Sequence, residues 1–130
     1  MSNVLVDTSI WIDFFRGKSS KPIQLFHDMI GDDRIVIAIS TRLELLAGMK
    51  KKDLVKMQKL FSSLITLYPN EHTWVAIESW IKQGKMQGQH FGIADLIIGA
   101  LATEHDLSLW SNDDDFRRMS DFGFVTLFEP

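Results

Sequence analysis

Asp7 directly follows the apolar run Val4-Leu5-Val6, and Glu44 lies about one helical turn beyond the apolar run Ile35–Ile39. Asp95 opens a stretch that is apolar nearly all round, and Asp113, Asp114 and Asp115 come just after Leu107-Ser108-Leu109-Trp110. Carboxylates so placed can ligate a cation or move protons, and each also has a plainer use. Asp7 suits an N-cap. Thr41-Arg42-Leu43-Glu44 fits a capping box, in which the Glu side chain reaches back to a backbone N–H. Asp95 can favour a helix dipole, but a carboxylate among apolar faces is costly unless paired, hydrogen-bonded or metal-bound. Three consecutive acids in a loop are ordinarily solvated, and only their position after a strand raises Asp113 or Asp115 as ligands. Four carboxylates within about 4–6 Å would repel one another and raise their pKa values, a state made tolerable mainly by a divalent cation. All-oxygen ligation suits Mg²⁺ or Mn²⁺. Zinc would want cysteine, of which there is none, or histidine, and His27, His72, His90 and His105 show no ligand spacing.

The elements that must position these acids follow from the hydrophobic pattern. Val4–Val6 and Ile35–Ile39 read as strands buried on both faces. Helices are expected over Ile10–Phe15, over Pro22–Ile30 with proline in the first turn, and from a Ser40-Thr41 cap to about Gly48. Lys52–Ser62 and Glu71 to about Gln87 are helical by spacing, and Leu64–Leu67 suggests a short strand. Ile93 to about Glu104 is a buried central helix, with Gly99 one turn beyond Asp95 leaving room for a close approach, although helix packing is the commoner use of such a glycine. Leu107–Trp110 and Phe124–Phe128 close the chain as strands. Alternating strands and helices predict an α/β fold with a parallel sheet, whose ligands sit beyond the carboxyl ends of the strands where strand order reverses.

With 130 residues, 45% of them hydrophobic, and no internal boundary, the chain reads as one domain, 1–130. The absence of cysteine suits a reducing cytoplasm, and no apolar run approaches the about 18 residues that span a bilayer. The N-terminus lacks a basic leader pattern, so a cytoplasmic protein away from membranes is expected. A net charge of −3 argues mildly against a broad basic nucleic-acid face, although bases gather locally at Arg16, Lys18 and Lys21, at Lys50–Lys52, Lys56 and Lys59, at Lys82 and Lys85, and at Arg117 and Arg118, groups that solvated helix faces explain about equally well.

Four segments carry a family likeness: Val4-Leu5-Val6-Asp7-Thr8-Ser9, Ser40-Thr41-Arg42-Leu43-Glu44-Leu45-Leu46-Ala47-Gly48, Gly92-Ile93-Ala94-Asp95, and Leu109-Trp110-Ser111-Asn112-Asp113-Asp114-Asp115-Phe116. Together they resemble the PIN-domain nucleases, most of all the VapC toxins of type II toxin–antitoxin pairs. The resemblance implies a three-layer fold with a central parallel twisted sheet flanked by helices. It also implies a magnesium- or manganese-dependent endoribonuclease, with a metal-activated water leaving a 5′-phosphate and a 3′-hydroxyl. By the same resemblance Asp7, Glu44, Asp95 and Asp113 form the metal-binding quartet, with Asp115 as second choice for the fourth acid, and Glu44 alternatively acts as general base. Thr8, Ser9 and Ser111 support them, Ser111 standing where the family usually has threonine. Expected partners are RNA, a cognate antitoxin whose basic side chain would enter the acid cluster, and a second copy in a homodimer. Trp11, Phe14, Phe15, Leu45, Leu46, Met49 and Leu54 are apolar candidates for such contacts, though each also suits the core.

Two other classes compete. A phosphoacceptor domain would want an acidic pair after the first strand, an acceptor Asp mid-chain and a late lysine, yet Asp7 has no acidic neighbour and no lysine follows Lys85. A phosphatase with a D-x-D motif fails at Ser9. A non-catalytic binding module on the same fold is the remaining alternative, weakened by the presence of all four acids.

Overall fold

The structure, a computed structural model, describes residues 2–130. Its centre is Val4–Val6 (β1), in which no residue is more than 1% exposed, as the unbroken apolar run demands. Ile35–Ala38 (β2), Ile65–Leu67 (β3) and Ser108–Trp110 (β4) join it in a parallel sheet of order β3-β2-β1-β4. The chain therefore runs outward from β1 through β2 to β3, then returns to lay β4 on the other side of β1. The reversal of strand order falls between β1 and β4, and Val6 is paired there with Trp110.

Helices Thr8–Phe15 (α1), Lys21–Gly31 (α2), Ile39–Ala47 (α3), Leu54–Ser62 (α4), Glu71–Met86 (α5), Ile93–Glu104 (α6) and Asp114–Asp121 (α7) cover the sheet. Alternation along the strands sorts side chains to two faces. Leu5, Val36, Ala38 and Leu109 join a core with Leu96, Leu101, Phe116 and Met119 from α6 and α7. Val4, Val6, Ile35, Ile37 and Trp110 join a second core with Trp11, Phe26 and Phe61 from α1, α2 and α4. This is the expected three-layer α/β arrangement. Trp11 anchors the second core by edge-on contacts to Phe26 at 4.8 Å and Phe61 at 5.7 Å. No helix of the described residues is long and apolar enough to cross a membrane.

Three local expectations are corrected. Ile39 is already helical, the N-cap is Ala38 and no side chain caps α3, so the Thr41–Glu44 capping box does not form. Thr41 is instead fully buried and Glu44 is free of the backbone. Lys51–Asp53 forms a 3₁₀ turn before α4 begins. Phe124–Phe128 is not a strand but a single bridge, Leu109 to Leu127. The backbone of Phe124 is already committed, its N–H to Met119 O at 2.9 Å and its carbonyl to the Thr103 hydroxyl, which leaves little to form a ladder. Gly99 serves packing: an added Cβ would lie 3.2 Å from Met119 Sδ and Val125 Cγ1 and 3.3 Å from Trp80.

Candidate metal centre

β1 and β4 deliver Asp7 and Ser111 side by side, because the Val6–Trp110 pair is the last of their ladder and the Asp7 N–H continues to Trp110 O at 2.9 Å. Asp7 is 6% exposed and caps α1, its Oδ2 accepting the Ser9 N–H at 3.4 Å. The same oxygen accepts the hydroxyls of Ser9 at 3.0 Å and Ser111 at 2.7 Å. Its Oδ1 accepts no hydrogen bond among the described residues. One oxygen thus fixes the carboxylate while the other stays available. Ser111 and Ser9 also organise the facing loop, Ser111 Oγ accepting the Asp113 N–H at 2.9 Å and Ser9 Oγ the Asn112 N–H at 3.0 Å.

The acids after β4 do not lie in a solvated loop. Asp113 is the N-cap of α7 and its side chain accepts the Asp115 N–H at 2.9 Å. Asp114 and Asp115 occupy the first turn, where the helix dipole favours negative charge. This short helix was missed in the sequence because an acidic triplet after a strand reads as loop, and the only apolar residues inside it are Phe116 and Met119.

Asp95, in the first turn of α6, is half-buried and reaches the same place from the other core layer. One carboxylate oxygen from each of Asp95, Asp113 and Asp115 lies within 4.8 Å of the others. Burial, a hydrogen bond with Asp115 and the negative charges of Asp113, Asp7 and Asp115 push Asp95 up to about 7. Asp115 is held below the usual carboxylate range, first by its hydrogen bond to Arg118. The Asp115–Arg118 pair, 2.8 Å apart, went unread in the sequence because its i,i+3 spacing has meaning only on a helix.

Glu44 stands outside that triad. It is exposed on α3 and joins the Asp7 side through the Thr8 hydroxyl, which donates to its Oε2 at 3.2 Å. All of the acids singled out in the sequence therefore face the carboxyl edge of the sheet, but only Asp95, Asp113 and Asp115 come within mutual ligand distance among the described residues. The four histidines are exposed and take no part. Beside Glu44 and Thr8 opens a groove of about 970 Å³ between α1, α3 and α4, with Phe14, Phe15, Leu45 and Met49 on its floor and Arg16, Lys50, Lys52 and Lys56 among its walls.

An all-oxygen cluster with one acid driven to about 7 by burial and neighbouring carboxylates fits a hard divalent cation. An all-parallel sheet with acids gathered at its switch point defines an α/β protein with an acid-lined centre. Within that class, the model of the PIN domain matches residues 4–121, and the chain belongs to the PIN domain family. Ribonuclease VapC1 of Methanocaldococcus jannaschii is 27% identical over 124 residues, covering 94% of this chain and 85% of that protein. A DNA-bound VapBC from Salmonella typhimurium superposes with a TM-score of 0.80 at 19% identity, covering 98% of each chain. A toxin–antitoxin complex from Klebsiella pneumoniae gives 0.73 at 19% identity, over 98% of this chain and 100% of that one.

Proposed function

We propose that this protein is a magnesium- or manganese-dependent endoribonuclease, the toxin of a type II toxin–antitoxin pair, acting in the cytoplasm as one PIN domain over residues 1–130. The observation that carries the reading is the convergence of Asp95, Asp113 and Asp115 within 4.8 Å, beside a pinned Asp7. The likeness to a ribonuclease VapC1 supports RNA as the substrate, and the toxin–antitoxin title of a structural neighbour supports a protein antitoxin.

Asp7, Asp95 and Asp113 would hold the cation, with Glu44 completing the quartet. A bound divalent cation supplies the charge that offsets a phosphodiester's developing negative charge and acidifies an attacking water. The chain's own residues do the placing. Ser9 and Ser111 hold one oxygen of Asp7, which leaves the other for ligation. Thr8 steadies Glu44 at the mouth of the site, where this carboxylate can take a proton from water. The groove beside Glu44 answers the objection raised by net charge −3: Arg16, Lys50, Lys52 and Lys56 lie in none of the ion pairs of the described residues and can meet RNA phosphates.

The test is cleavage of RNA by the purified chain with Mg²⁺ or Mn²⁺, with EDTA, and with Asp7→Asn. Cutting that needs both metal and Asp7 is expected; metal-independent RNA binding shared by both proteins, with no cutting, would instead identify a binding module. Co-expression with the adjacent reading frame should yield a complex in which cutting stops. A homodimer is proposed through the exposed apolar side chains Leu43, Ile65 and Tyr68 around edge strand β3, tied to α3 by the Arg42–Thr66 hydrogen bond. Sedimentation of wild type and of Tyr68→Glu should show a dimer and a monomer respectively.

A further inference from the structure

Arg118 is the one cation paired with the acid triad among the described residues, and its surroundings hold it rather than leave it to swing. Its guanidinium donates to Asp115 Oδ1 at 2.8 Å, to Gln89 Oε1 at 2.7 Å and to the His90 carbonyl at 3.3 Å, and its centre lies 4.7 Å from the Phe91 ring centroid. A planar donor fork stacked on a ring and anchored on two loop acceptors is pre-organised, so the carboxylate comes to it. Gln89–Phe91 lead directly into α6, which carries Asp95, while Asp115 and Arg118 both ride on α7. The arrangement therefore fixes Asp115 with one oxygen turned to a protein cation, while Asp113, two residues earlier, has no such partner.

We propose that Arg118 is a resident counter-ion that competes with a divalent cation for Asp115, one of the three acids within mutual ligand distance, and thereby sets how tightly the centre binds metal. This rests on reading the cluster as a metal centre. It assigns the two neighbouring acids different tasks: Asp113 ligates without a competitor, and Asp115 is the acid through which Arg118 acts. The direction of the effect separates the idea from mere structural support. Damage to a scaffold loosens a metal site, whereas loss of Arg118 removes a nearby positive charge and frees a further carboxylate, both of which favour a divalent ion.

The experiment is a Mn²⁺ titration of the metal-free full chain, read by electron paramagnetic resonance of free Mn²⁺, for wild type, R118M, D115N and the double variant. Methionine keeps the packing on Phe91 without charge, and R118K is carried alongside in case R118M does not fold. R118M should bind Mn²⁺ on the order of tenfold more tightly than wild type, with R118K between them. In the D115N background the gain should shrink to about twofold or less, because the two residues act as one unit. Unchanged or weaker binding by R118M, or a full gain that persists with D115N, overturns the proposal. Wild type that binds no Mn²⁺ overturns the metal centre itself and this inference with it; binding by wild type without the R118M gain overturns only this inference.

Discussion

Asp95 carries the heaviest electrostatic load in the centre, since burial and three neighbouring carboxylates raise it from 3.8 to about 7. Its folded pKa lies above its unfolded one, so the stability linked to this proton is fully present below about 4 and is lost as pH rises through about 7. Asp115 has the opposite shift, and its contribution fades only as pH falls below the ordinary carboxylate range. In EDTA, wild type should therefore melt at a higher temperature at pH 5.5 than at pH 8, and Asp95→Asn should remove most of that difference; equal pH dependence in both proteins would refute the assignment. A divalent ion must displace the same proton. Mn²⁺ affinity should accordingly rise by up to about tenfold per pH unit below 7 and level off above it. Calorimetry in buffers of different ionisation enthalpy would show the released proton directly.

Among the elements, the turn after β4 decides how well the centre is assembled. Ser111 spans Asp7 Oδ2 and the Asp113 N–H, so Ser111→Ala should cut metal affinity or activity by roughly 10–100-fold, while Ser111→Thr keeps the hydroxyl and should stay close to wild type. The lysines of the 3₁₀ turn and α4 act differently. Reversing Lys52 and Lys56 together should raise KM for RNA by roughly tenfold or more and flatten its salt dependence, with kcat nearly unchanged. β1, β2 and α6 were legible in the sequence because an element buried on every side must be apolar throughout, and the acids at their ends stood out against that background. The start of α7 was not, since its acids suit a loop as well as a helix N-terminus. The plainer alternative for Glu44 failed for a related reason: a capping box is a local pattern, and tertiary burial of Thr41 overrode it. Nor could spacing reveal Arg118, whose partners Gln89, His90 and Asp115 meet only once α6 and α7 are packed.

At the scale of the whole molecule, the two cores lie against opposite faces of one shared sheet. A side chain added at Gly99 would press on Trp80 of α5, Met119 of α7 and Val125, so Gly99→Val should overpack the first core by about 1–3 kcal/mol. A fall in Tm of roughly 4–12 °C is expected, and scanning calorimetry would measure it. The sheet order has a consequence for synthesis on the ribosome. Asp7 emerges 104 residues before Ser111, whose hydroxyl pins it, and the strand beside it is the last of the sheet. A nascent chain, or one cut short before β4, carries Asp7, Glu44 and Asp95 but neither the Ser111 hydroxyl nor Asp113, so any chemistry of the acid centre waits until the last strand docks, which leaves time for a partner made alongside to be in place.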